Sequence, residues 1–193
     1  MTKKFNQEEV VAATLEYFNG DELATNVWVS KYALKDTDGR YEEKTPEDMH
    51  RRMAREFARI EKKFNSGHEM SEDKIFGYLK DFKYIVPQGS PMMGIGNNHV
   101  NVSLSNCVVV ESPSDNISSI VNAGRDLANL FKRRCGVGLD ISNLRPDGAQ
   151  VSNSAGTTTG AWSFADFYSY VCRMIGQNGR RGALMITMDV RHP

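Results

Sequence analysis

Apolar side chains recur at helical spacing through the first part of the chain and gather into short strand-like runs in the second. Val11, Leu15 and Phe18 form one stripe that ends at Gly20, a residue suited to the left-handed stop of a helix. Residues 25–34 read as a short extended segment, and Asp36-Thr-Asp-Gly39 as a turn. Thr45-Pro-Glu-Asp48 then offers a capping hydroxyl, a proline at the first helical position and acid beside the positive end of the dipole. The helix that follows carries Met49, Met53, Phe57, Ile60 and Phe64 on one stripe. Arg51, Arg52, Arg55, Glu56 and Arg59 occupy its other faces, with Arg52 and Glu56 spaced to pair, which describes a solvated face laced with ion pairs. A shorter helix after Ser71 buries Ile75, Leu79 and Phe82.

From Tyr84 onward the pattern changes to Gly-, Ser- and Asn-rich loops between apolar strands and amphipathic helices. Cys107–Glu111 is expected as a buried strand, followed by a helix capped by Ser114 or Asp115 with Ile117, Ile120, Val121, Leu127 and Phe131 inside. Val137–Ile141 makes a second strand. Ser163 opens another helix with Phe164, Phe167, Tyr168, Val171 and Ile175 on one side, and residues 182–190 make a third strand. Strand alternating with helix predicts an α/β fold with mainly parallel strands. The expected organisation is therefore a helical N-terminal lobe over 1–83 and an α/β part over 84–193. The chain stops at Val190–Pro193, directly after a strand, and a parallel sheet needs both faces covered, so further polypeptide is expected to complete the fold.

Composition narrows the function. Lys and Arg (24) balance Asp and Glu (24), which removes the long-range attraction that draws basic proteins to nucleic acid or anionic membrane. No run approaches the ~20 apolar residues that span a bilayer, and the polar start lacks the apolar core of a signal peptide, so the cytoplasm is the expected location. Three cysteines, Cys107, Cys135 and Cys172, make no Cys-x-x-Cys pair, and the four histidines supply no zinc spacing, so no metal site is expected.

Three glycine-rich loops carry what chemistry the residues alone offer: Gly89–Gly96, Gly148–Gly160 and Gly176–Gly182. Glycine lets a backbone approach phosphate closely, arginine adds bidentate charge, and Gly156-Thr-Thr-Thr-Gly160 precedes a helix. None matches a Walker loop or a dinucleotide fingerprint, and connecting turns explain them equally well. Taken singly, Cys107 reads as a small buried hydrophobe, Cys172 as core, Asp115 as a helix cap and Arg145 as a turn residue. Cys135 follows Arg133-Arg134, whose charges would lower its thiol pKa if they lay close.

The order of the segments adds more. Ala24-Thr-Asn-Val-Trp-Val-Ser-Lys-Tyr-Ala33, Thr45-Pro-Glu-Asp-Met-His-Arg-Arg52, Val86-Pro-Gln-Gly-Ser-Pro-Met-Met-Gly-Ile-Gly-Asn97, Leu104-Ser-Asn-Cys107, Lys132-Arg-Arg-Cys-Gly-Val-Gly-Leu-Asp140, Leu144-Arg-Pro-Asp-Gly148 and Gly179-Arg-Arg-Gly-Ala-Leu-Met185 follow one another in an order that resembles the large, catalytic subunit of ribonucleotide reductases. The likeness runs from about Asn6 to Pro193. It implies a helical lobe followed by the first part of a ten-stranded α/β barrel, and an enzyme that replaces the ribose 2′-hydroxyl with hydrogen by thiyl-radical chemistry.

By the same resemblance Cys107 is one member of the reducing cysteine pair, and Ser90, Asn106 and Gly136 contact substrate. Asp115 and Arg145 hold a deoxynucleoside triphosphate or ATP effector, and Gln177 and Arg181 lie on the loop that relays effector identity to the substrate pocket. The helices starting near Asp115 and Ser163 pair across a homodimer interface. Arg180–Met185 and Leu144–Gly148 are worded more like the adenosylcobalamin-dependent members than like those whose radical comes from a metal-containing small subunit. Implied partners are a ribonucleotide, a thioredoxin-like reductant and the C-terminal remainder of the reductase. Departures are a Ser152 near the place of a second effector-phosphate arginine, the lack of a preceding ATP-cone domain, and the absence of the Asn-Pro-Cys-Gly-Glu segment and of the partner of Cys107. The fragment alone is therefore expected to be inactive. The alternative reading is a non-catalytic deoxynucleotide-binding remnant.

Overall fold

The computed structural model describes residues 4–175 and 182–193, which form two compact units, Met1–Leu104 and Ser105–Pro193. The division falls later than the 83/84 change in sequence texture. Ile95 belongs to the core of the first unit, and the side chains of Val102 and Leu104 close over Gly94, so the segment after 84 packs back onto the helices that precede it.

The first unit is helical. Helix α1 (Gln7–Tyr17) starts in a capping box, in which Asn6 accepts from the Glu9 N–H and Glu9 accepts from the Asn6 N–H, each at 2.9 Å. Val10 and Thr14 are its buried positions, with Val11 and Phe18 only partly covered, so the inner face is rotated from the expected stripe. Helix α2 (Glu22–Lys31) replaces the expected extended segment. The Asp21 carboxylate caps the Ala24 N–H, and Thr25, Trp28 and Val29 fall on one helical face that is buried, so packing overrides the strand preference of those residue types. Asp36 then accepts from the Asp38 and Arg40 N–H groups, which closes the expected turn around Gly39.

Helix α3 (Pro46–Phe64) starts where the capping pattern placed it, with Asp48 accepting from Lys44 and Thr45 N–H. Its inner face is Met49, Met53, Ala54 and Ala58, whereas Phe57, Ile60 and Phe64 are exposed to differing degrees. The expected Arg52–Glu56 pair does not form. Glu56 pairs with Arg59, while Arg52 turns inward to Glu43. Helix α4 (Glu72–Leu79), capped by Ser71, buries Ile75, Phe76 and Leu79. A 3₁₀ turn (Lys80–Phe82) follows, and α5 (Gly89–Gly94) forms where only a glycine-rich loop was expected.

The second unit alternates β1 (Cys107–Val109), α6 (Ile117–Phe131), β2 (Gly136–Asp140), α7 (Gly160–Met174) and β3 (Leu184–Thr187). The strands are parallel in the order β1-β2-β3, with Cys107 opposite Gly136 and Gly138 opposite Met185. Alternation divides the sheet into two faces. Val108, Val137, Leu139, Leu184 and Ile186 pack with Ile120, Leu127, Phe131, Tyr168 and Val171 of the two helices. Cys107, Val109, Gly136, Gly138 and Met185 fall on the other face. There Val109 is 86% and Met185 69% exposed, which corrects the expectation of a buried first strand. Asn116, rather than Ser114 or Asp115, caps α6, and Ile117 and Val121 point outward.

Candidate functional site

Two clusters within the second unit collect most of the sequence-derived candidates. The first lies on the open sheet face. Cys107 is exposed, and its neighbour across the ladder is Gly136, where a Cβ would sit only 3.3 Å from the Cys107 Sγ. Glycine there leaves the thiol room on the sheet surface. The Asn106 carbonyl accepts from the Gly136 N–H at 2.7 Å, which locks the residue before the thiol to the strand beside it. Cys107, Gly136, Gly138, Gly182 and Met185 line a shallow, mostly apolar depression of about 580 Å³. An exposed thiol among glycines and aliphatic groups leaves room for a ligand to lie against this face of the sheet.

The second cluster is polar. Arg145 Nε donates to Asp115 Oδ2 at 2.6 Å, its backbone N–H to Oδ1 at 3.3 Å, and Nη1 to the Gln150 carbonyl at 2.7 Å. Both side chains remain about one-third exposed, so the pair is accessible to a ligand. The hairpin that Arg145 grips is closed by Val151 N–H to Gly156 O and Thr158 N–H to Ala149 O, and it carries Thr157 to Thr159 to the start of α7. Gly160 there has φ +80°, and a Cβ would lie 2.5 Å from the Asp147 nitrogen, so only glycine fits this junction. A cavity of about 490 Å³ opens between Asp115, Arg145, Ser152, the threonines and Phe164. Its described lining brings together the guanidinium of Arg145, paired with Asp115, several hydroxyls and an aromatic wall, groups that can hydrogen-bond and stack with a polar, ring-bearing ligand.

Ser90 lies in the first unit, on α5, and is 2% exposed. Gln177 and Arg181 lie outside the described residues. Cys135 is fully buried, with its thiol donating to the Gly136 carbonyl at 3.4 Å. Cys172 is half-buried, and burial pushes its thiol pKa up. Sequence reading missed that the Gly156–Gly160 loop and the Asp115–Arg145 pair share one cavity, because the hairpin joining them has no strand-like pattern. It also missed Gly138 and Met185 beside Cys107, which only strand register places there. Among the described residues no group of three His, Cys, Asp or Glu is arranged to hold a metal ion, and no helix is long and apolar enough to cross a membrane.

Comparisons with known proteins agree with this architecture. Residues 18–99 match the all-alpha domain of ribonucleotide reductase and residues 105–193 match its barrel domain. A vitamin B12-dependent ribonucleoside-diphosphate reductase of Mycobacterium tuberculosis is 32% identical over 171 residues, covering 88% of this chain and 24% of that protein. A ribonucleoside-diphosphate reductase large chain of Saccharomyces cerevisiae is 25% identical over 59% of this chain and 13% of its own length. Among solved structures, the alpha subunit of an Actinobacillus ureae class Id ribonucleotide reductase superposes with a TM-score of 0.56 at 18% identity, covering 73% of this chain and 24% of that one. The chain thus spans about a quarter of the length of the Mycobacterium relative.

Proposed function

Because this chain belongs to the ribonucleotide reductase large-subunit family, we propose that it supplies the N-terminal portion of a reductase that converts ribonucleotides to deoxyribonucleotides. The observation that carries the reading is the exposed Cys107 thiol on the open face of the parallel sheet, beside Gly136. In the proposed reaction a thiyl radical on a cysteine outside this chain takes the ribose 3′-hydrogen and later returns it. The 2′-hydroxyl leaves as water. Cys107 and a second thiol from the completing polypeptide give up two hydrogens and become a disulfide, which a thioredoxin-like dithiol reduces again.

Within that scheme Ser90, Asn106 and Gly136 hold substrate, and the Asp115–Arg145 cavity holds a deoxynucleoside triphosphate or ATP effector. Gln177 and Arg181 relay effector identity. Large apolar side chains exposed on α6 and α7, among them Ile117, Val121 and Trp162, support a homodimer built through those helices. The Mycobacterium relative supports adenosylcobalamin as the radical source, as opposed to a metal-containing small subunit.

A cavity contained within one unit also favours a second reading, a deoxynucleotide-binding module without catalysis. Turnover decides between them. In the assembled reductase Cys107→Ser is expected to abolish multiple turnover with a dithiol reductant, and unchanged turnover would sink the redox role. Ribonucleotide reduction that depends on added adenosylcobalamin is expected; activity that needs only a metal-containing partner subunit would overturn the cofactor choice.

A further inference from the structure

Helix α5 carries Ser90 but has only six residues, too few to be stable by itself. Its position is imposed from outside. Gly89 lies against the Tyr32 ring, where a Cβ would sit 3.1 Å from Cε1, and Gly96 lies against Arg52, where a Cβ would sit 3.0 Å from Cγ. The decisive contact is at its C-terminal end. Arg52 reaches in from α3 and donates to the Met92 carbonyl at 2.8 Å and to the Ile95 carbonyl, the carbonyls that a helix end leaves without partners.

The guanidinium is itself held. Its Nε donates to Glu43 Oε1 at 2.7 Å, and the other Glu43 oxygen accepts from the Leu34 N–H at 2.8 Å. Both side chains are nearly buried, at 10% and 4% exposure, where a geometrically complete ion pair is rigid. Burial pushes the Glu43 carboxyl pKa up, and the Arg52 charge opposes that rise.

We propose that Arg52, held by Glu43, is a positioning residue that sets the Ser90-bearing helix for nucleotide binding. The inference rests on the substrate role given to Ser90 above. Arginine is required because one planar group must serve the carboxylate and two carbonyls together, which a lysine ammonium on its flexible stem does not do.

Arg52→Lys in the assembled reductase is the test, since it keeps a charge opposite Glu43 while losing the fork. The expected result is a rise in KM for the ribonucleotide on the order of tenfold with little change in kcat. Faster hydrogen exchange is expected at the Met92, Ile95 and Asn97 amides, which close α5 and the turn after it. Arg59→Lys, on the exposed side of the same helix, serves as the control and is expected to change neither. If Arg52→Lys does not fold, Glu43→Gln weakens the hold on the guanidinium at nearly the same volume and is expected to give the same pair of changes. Unchanged KM and unchanged exchange in an active enzyme would overturn the proposal. An unmodified assembly that turns over no ribonucleotide would instead overturn the proposed function, and the exchange comparison would still judge the clamp.

Discussion

The His50 ring is fully buried on α3, edge-on to Phe82 at 4.5 Å between centroids, and neither of its nitrogens has a hydrogen-bond partner among the described residues. Burial lowers its pKa to about 4, with the nearby Asp81 carboxylate opposing the shift. A histidine neutral in the fold but titrating near 6.5 when unfolded makes the unfolded state bind more protons between those values. The His50 contribution to the stability of the first unit is therefore full above pH 6.5 and is lost as pH drops toward 4, with a slope of at most roughly 1.4 kcal/mol per pH unit. His50→Leu is expected to flatten that slope in urea unfolding measured from pH 7 to 4.5; an identical slope in both proteins would assign the acid sensitivity elsewhere. At the second cluster, Arg145→Ala removes the only guanidinium that lines the cavity among the described residues and leaves Asp115 facing any phosphate. Calorimetry should then show deoxynucleoside triphosphate affinity reduced roughly tenfold or more, and equal affinity would remove the nucleotide from this cavity. Asp115 and Arg145 were each legible in the chain only through the order of motifs around them. Their 2.6 Å contact joins residues thirty apart, which no local pattern encodes.

Elements were legible where their ends carry local signals. The start of α3 follows from Thr45, Pro46 and Asp48, and the turn at Asp36 from its own side chain, because these groups bond backbone within a few residues. Helix α2 was not legible, since Thr25, Val27, Trp28 and Val29 favour strands and became helical by burying one face. The apolar stripe of α6 was right at Ile120, Leu127 and Phe131 and wrong at Ile117 and Val121, which remain exposed. Hydrophobicity alone does not say which side of a helix meets the sheet. The start of α7 depends on Gly160, with its left-handed backbone and its closeness to Asp147. Gly160→Ala is expected to destabilise the second unit by roughly 2–4 kcal/mol, from backbone strain plus the clash, as read by chemical denaturation. A loss below about 0.5 kcal/mol would mean that the junction relaxes freely.

Each of the two units has its own hydrophobic cluster, one around Met49 and Met53, the other around Leu127 and Phe131. Separate cores unfold separately unless a large interface couples them. Scanning calorimetry is expected to show two transitions, with a deoxynucleoside triphosphate raising only the one that belongs to the Asp115–Arg145 cavity and Arg52→Lys lowering only the other. One transition that responds to both would tie the units together. Family membership and the alternation of strand and helix could be read along the chain, because motif order and turn residues are local or ordered in one dimension. Three things were decided only in three dimensions: that Cys107 is exposed on an open sheet face, that Arg52 turns inward to Glu43 and α5, and that a hairpin closes a cavity over Asp115. Strand register and side-chain direction relative to a core depend on what packs against each element, and contacts between residues far apart in the chain leave no mark on the spacing of either one.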